Sequence, residues 1–164
     1  AKRGRLWQTE GRAGRRSRYH GDDRLRPLDS LGRAQADALV TLLRIFDATT
    51  LHAADRVRCE QTIAPAAAAL ATPILGEPTL SEEAYRENPD GGRQRIREIA
   101  EDSSTVHAIC SQGKVIPPLM QWWSDEDGVT LPRARNRKAS VWVVSLHAGR
   151  MVAADHIDSP LPAT

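Results

Sequence analysis

No run of 18 or more apolar residues occurs in this chain of 164 residues, and it holds only two cysteines and one phenylalanine. The first absence excludes an ordinary membrane-spanning helix, and no basic, apolar, small-residue leader opens the chain. Cys59 and Cys110 are too few for a disulfide framework. Each stands beside apolar residues, so two buried free thiols in a reducing cytoplasm are expected. A His, Cys and carboxylate cluster at ligand spacing is also missing, and a pocket with neither metal nor other cofactor is the expectation. Net charge is only +2, too little for a strong overall pull on nucleic acid.

What is present fits one folded domain over residues 1–164, with 40% hydrophobic and 27% charged residues. Alanine, valine, leucine and isoleucine carry the core, and the four tryptophans serve as large local fillers. The chain opens on Ala1 rather than Met, in keeping with a processed product or a piece of a longer protein. Residues 1–28 are rich in arginine, with Arg12, Arg15, Arg16, Arg18, Arg24 and Arg26 set against Glu10, Asp22 and Asp23. Such a stretch reads either as a solvated arm or as a patch for phosphates, nucleotides or an acidic partner. A nucleic-acid contact ranks last, because only Trp7 and Tyr19 interleave with the arginines.

Periodicity supplies the elements. Leu6-Trp7 opens a strand. Asp29-Ser30 caps a helix with apolar positions Leu31, Ala34, Ala38, Leu42 and Ile45, and Leu39 and Phe46 beside them. A buried strand over Thr49–Ala54 leads into a helix from Val57 to Leu70, whose alanine run has high helix propensity. Ile74-Leu75 is a short strand, Glu77 to Asp90 a loop with a tight Gly91-Gly92, and Gln94 to Glu101 a helix. Thr105–Cys110 is apolar almost throughout, as a strand buried on both faces should be. A turn at Ser111-Gln112-Gly113 then starts a helix from Lys114 to Trp123. Ser140–Leu146 and Met151–His156 flank His147-Ala148-Gly149-Arg150 as a hairpin. The alternation predicts an α/β, three-layer sandwich: a mostly parallel sheet with helices on both faces and a C-terminal β-hairpin.

Ligands of such sheets collect beyond the carboxyl ends of the strands. Two junctions meet that condition. In Asp55-Arg56-Val57-Arg58-Cys59, an arginine in a first helical turn can aim its fork at a phosphate, with the helix dipole adding to the attraction. The plainer alternative pairs Arg58 with Glu60 or Asp55. In Cys110-Ser111-Gln112-Gly113-Lys114, a small-residue turn lets a ligand approach closely, or Lys114 is only a solvated residue.

Arg24–Ala36 together with Ala54–Thr62 resembles the histidine phosphatase superfamily, of the phosphoglycerate mutase-like fold. Cys110–Pro117, Arg135–Trp142 and Ala153–Ile157 are similar to the C-terminal domain of actinobacterial MutT1-type proteins, in which a Nudix domain precedes the phosphatase domain. The resemblance implies attack on phosphorus by a histidine in an Arg-His-Gly motif at the end of the first strand. The aligned segment here is Thr9-Glu10-Gly11, so Glu10 stands at the histidine position and Thr9 at its arginine. By resemblance, Arg58 is the pocket arginine, Gln112 replaces a second pocket histidine, and Glu82 or Glu83 supplies the acid. Gly11, Gly113 and Lys114 complete the implied phosphate site.

A carboxylate at position 10 would form an acyl phosphate rather than a phosphohistidine, and it sets a negative charge where an anion must bind. His52 and His107 lie within strands and read as core histidines. No histidine occupies the motif, and of the five only His20, in the loop before Gly21, is placed where it could reach the pocket at all. The resemblance implies a phosphohydrolase for phosphorylated nucleotides or small phosphoesters, including 8-oxo-guanine nucleotides. The alternative is a silent phosphatase fold that binds a nucleotide or docks a Nudix domain, upstream or in trans.

Overall fold

A computed structural model describes residues 3–161, with side chains from Glu10 onward. Six strands form one sheet: β1 (Arg3–Thr9), β2 (Ala48–Ala54), β3 (Ile74–Glu77), β4 (Val106–Ser111), β5 (Val141–His147) and β6 (Arg150–Ile157). Their order is β3-β2-β4-β1-β5-β6. β3, β2, β4 and β1 run parallel, and β5 and β6 are antiparallel to their neighbours. Leu6-Trp7 lies within β1, but the side chains of that strand fall outside the described residues.

The helices are α1 (Ser30–Ile45), α2 (Val57–Leu70), α3 (Glu82–Glu87), α4 (Pro89–Glu101) and α5 (Ile116–Asp127). Parallel crossovers are right-handed. The steps from β1 to β2 and from β2 to β3 move one way along the sheet, and the step from β3 to β4 moves back. That reversal sends α1 and α2 to one face and α4 to the other. α1 packs on α2, and α4 packs on α5. The core between the layers is aliphatic, as composition predicts, with Trp123 and Trp142 fully enclosed. Among the described residues, no helix is long and apolar enough to cross a membrane.

Three expectations need correction. The buried face of α1 is Gly32, Gln35, Ala36, Leu39 and Leu43, whereas Leu31 and Ile45 are exposed. Close backbone packing fixes this rotation, since a Cβ on Gly32 would lie 2.0 Å from the Arg12 carbonyl oxygen. The segment Glu77–Asp90 is not a loop. Glu77 ends β3, Ser81 caps α3 and Asn88 caps α4, which runs through Gly91-Gly92. The helix expected from Lys114 begins at Ile116 and continues to Asp127, where Gly128 ends it in the left-handed region. The hairpin is confirmed, with Ala148 and Gly149 both at positive φ, the requirement of a tight primed turn.

Candidate functional site

β1, β2, β3 and β4 all point their carboxyl ends to one edge of the fold, and their following segments meet there. Backbone pairing continues past β1: Glu10 N–H donates to the Ser111 carbonyl at 3.0 Å, so Glu10 and the turn after β4 are neighbours. The Glu10 side chain is 2% exposed and turns into a cavity of about 170 Å³. Arg58, Arg16, Arg26, Lys138, Glu82, Gly113 and Lys114 also line it. Five cations therefore face two carboxylates, which makes the cavity attractive to anions.

Arg58 is as deeply buried as Glu10, and neither Glu60 nor Asp55 partners it. Its Nη1 donates to the Asp23 carbonyl at 2.8 Å, and its Nη2 meets the Asp23 carboxylate at 3.3 Å. Arg16 and Arg26 hold the same carboxylate at 3.1 and 2.9 Å. Burial pushes the Asp23 carboxyl up, but the bond from Arg26 and the charge of Arg58 outweigh it and hold it at about 2. Asp23 thus works as a clamp that orients three guanidinium groups. Residues 12–28 of the basic stretch thus form a loop tied down beside the pocket, not a loose arm.

Glu10 Oε1 accepts from Lys138 Nζ and lies 3.7 Å from Arg58 Nε. Glu10 Oε2 and Arg58 Nε remain without a hydrogen-bond partner although both are buried. Leaving such atoms unsatisfied costs about 1–3 kcal/mol each. One is an acceptor and one a donor, and both belong to residues that line the same cavity.

The remaining expected residues divide clearly. Glu82 lines the cavity, accepts an ion pair from Lys114 at 3.3 Å, and has its backbone N–H bound by Gln112 Oε1 at 2.6 Å. Glu83 turns away to Arg56 at 3.1 Å and is mostly exposed. Gln112 is buried and braces Glu82 rather than lining this cavity. Gly113 and Lys114 both line it, and Lys114 is largely solvated. Gly11 lies behind the site. Its N–H is spent on Thr62 Oγ1 at 2.9 Å, and an added Cβ would stand 2.9 Å from the Gly32 carbonyl oxygen.

No histidine lines the cavity. His20 is exposed, and His52 and His107 are buried strand residues hydrogen-bonded to each other at 2.8 Å. Sequence reasoning missed Lys138, Asp23 and Thr62, and it named Arg16 and Arg26 only as part of a general basic patch. Only the basic run Arg135–Lys138 signalled the first, and nothing in it pointed 128 residues back to Glu10. Ala139 holds this segment in place: its N–H donates to the Glu10 carbonyl at 3.2 Å, with φ at 63°. A non-glycine residue in that region costs about 1 kcal/mol, so the surrounding structure imposes the conformation.

The profile of the histidine phosphatase superfamily (branch 1) matches residues 7–88, the segment that carries Glu10, Asp23, Arg58 and Glu82. The chain belongs to the histidine phosphatase superfamily. It is 54% identical over 150 residues to an 8-oxo-(d)GTP phosphatase of Mycolicibacterium smegmatis, a match covering 92% of the chain but 46% of that relative. The matched part of the relative is C-terminal. Among solved structures, the protein histidine phosphatase SixA complexed with tungstate superposes with a TM-score of 0.72 at 17% identity, covering 96% of this chain and 97% of SixA. A mycobacterial glucosyl-3-phosphoglycerate phosphatase superposes with a TM-score of 0.69 at 13% identity, covering 99% of this chain and all of its own. These two likenesses establish the phosphoglycerate mutase-like fold.

Proposed function

We propose that this phosphatase domain acts on phosphorylated nucleotides, with oxidised guanine nucleotides such as 8-oxo-GDP as its substrates in nucleotide-pool sanitation. The carrying observation is the pair of unsatisfied buried atoms, Glu10 Oε2 and Arg58 Nε, at one cationic cavity. A phosphoryl group accepts from Arg58 Nε, and a water or hydroxyl bound to it donates to Glu10 Oε2. The 54% identity to an 8-oxo-(d)GTP phosphatase supports the choice of nucleotide.

With glutamate at the nucleophile position, direct attack by water replaces the phosphohistidine route. Water on Glu10 Oε2 gives that carboxylate its proton as its oxygen bonds to phosphorus. The bond from phosphorus to the leaving oxygen breaks, and the proton taken up by Glu10 passes by way of Glu82 to that oxygen. Arg58, Arg16, Arg26 and Lys138 stabilise the charge on the equatorial oxygens. This route assigns Glu10 the base, Glu82 the acid, and Gly113 and Lys114 a place beside the phosphate. Glu83, Gln112 and Gly11 become supports. The route needs no cofactor. The reading includes a cytoplasmic setting and a Nudix domain, upstream or in trans, which the match to only 46% of a longer phosphatase supports.

The test is release of phosphate from 8-oxo-GDP and p-nitrophenyl phosphate by the purified chain. Release well above that of an Arg58→Ala variant is expected, and equal rates overturn the enzymatic reading. The Lys138–Glu10 ion pair favours a second reading, a silent module that binds nucleotide without cleaving it. Thr9→Arg with Glu10→His separates the two: activity that appears only in that double variant belongs to the silent module.

A further inference from the structure

Beside the phosphate cavity lies a much larger one, of about 770 Å³, lined by the loop between β1 and α1. Arg26 lines both, so the two spaces adjoin at one side chain. The larger cavity has three kinds of wall. Pro27 and Leu28 are apolar, and Arg12, Arg15 and Arg18 are basic. The third wall is the half-buried ring of Tyr19.

That ring is seated before any ligand arrives. A Cβ on Gly21 would lie 3.2 to 3.4 Å from Cε1, Cζ and the hydroxyl oxygen of Tyr19, so the ring packs close against the bare backbone of Gly21. The arginines differ from one another. Arg12 is tied to Asp29 at 2.6 Å and Arg26 to Asp23 at 2.9 Å. Among the described residues, no carboxylate is paired with Arg15 or Arg18, in contrast to Arg16 and Arg24 of the same loop. Two unpaired guanidinium groups beside a fixed aromatic ring, next to a phosphate pocket, match the two remaining parts of one ligand.

We propose that this cavity holds the leaving group of a phosphoanhydride: a nucleoside that keeps at least one further phosphate, whose oxygen is the leaving atom. The base lies on the Tyr19 ring, and the inner phosphate meets Arg15 and Arg18, while the terminal phosphate occupies the Arg58 cavity. This assignment rests on the phosphate-binding reading of that cavity and adds a reason for selecting nucleoside diphosphates and triphosphates over simple phosphoesters. A planar base is the ligand part that gains most from an aromatic ring lining the cavity, and stacking tolerates any base.

Calorimetry with inorganic phosphate, GMP and GDP tests it on the intact chain. The expected order is GDP tightest, then GMP, then phosphate. Tyr19→Ala should weaken GDP by about tenfold and leave phosphate unchanged, whereas Tyr19→Phe behaves as wild type. Gly21→Ala, which displaces the ring, should weaken GDP in the same direction. Arg15→Ala with Arg18→Ala should close most of the gap between GDP and GMP. Phosphate binding with no gain for GDP, or a Tyr19→Ala variant that binds GDP like wild type, overturns the subsite alone. Failure of the wild type to bind phosphate overturns the Arg58 pocket and the subsite together.

Discussion

Glu77 and Glu10 are both carboxylates at the carboxyl ends of parallel strands, and both are at most 3% exposed. Their surroundings are opposite. Glu77 accepts from Arg95 at 2.7 and 2.8 Å and from His52 Nδ1 at 2.8 Å, so both oxygens are engaged. The line continues from His52 to His107, and from His107 Nε2 to Asp102, at 2.8 Å each. Glu10 has one oxygen on Lys138 and the other on nothing. A complete shell marks a polar group that braces the fold; an incomplete one facing a cavity marks a site.

The sharpest break of this comparison is Glu77→Ala. It strands His52 and Arg95, and a loss of about 3 kcal/mol in denaturant unfolding is expected, with phosphate binding retained. Arg58→Ala should do the reverse at the other site, lowering affinity for inorganic phosphate by about 100-fold, or some 2–3 kcal/mol. A variant with intact phosphate affinity would show that the cavity is not the anion site. Glu10→Gln keeps the shape and removes the opposing charge. Phosphate should bind about tenfold tighter while turnover is lost; weaker binding would remove Glu10 from the pocket wall.

The smallest effect concerns acid. Burial pushes the Glu77 carboxyl up, but the bonds from Arg95 and His52 outweigh it and hold the group at about 2 against an ordinary 4.5. A depressed carboxyl lends stability that is full above 4.5 and drains as pH falls towards 2. Tryptophan fluorescence during acid titration should therefore show stability falling across that window. The same loss in Glu77→Gln would assign the drop to Asp23 and the other carboxylates instead.

Local signals carried far in this chain. Alternating short strands and helices, the Asp29 cap and the alanine run of α2 gave the layers, and Arg58 stood out by its place in a first turn. What escaped was everything decided by distant packing. The rotation of α1 depends on the Arg12 carbonyl pressing on Gly32. The segment after β3 looked like a loop because Pro78, Pro89 and two glycines are breakers inside helices but tolerated at their starts. The clamp of Asp23 on Arg58 spans 35 residues, and no pattern within one element announces such a pair.

The thiols illustrate the same limit. Two buried free cysteines were legible, but not that they are neighbours, where burial and the adjacent Cys59 push the Cys110 thiol up.

β1 lies inside the sheet, with Leu6 opposite Ala108 on one side and Val143 on the other. The first strand of this sheet is thus walled in only when β5 has been made. Its second neighbour does not exist until most of the chain has been made, and until then one flank of β1 offers a bare row of donors and acceptors. Nascent chains stalled after α5 should therefore stick to one another or to chaperones, and release should come only with β5. The residue that defines the pocket, Glu10, waits on the same event, because Lys138 arrives just ahead of that strand.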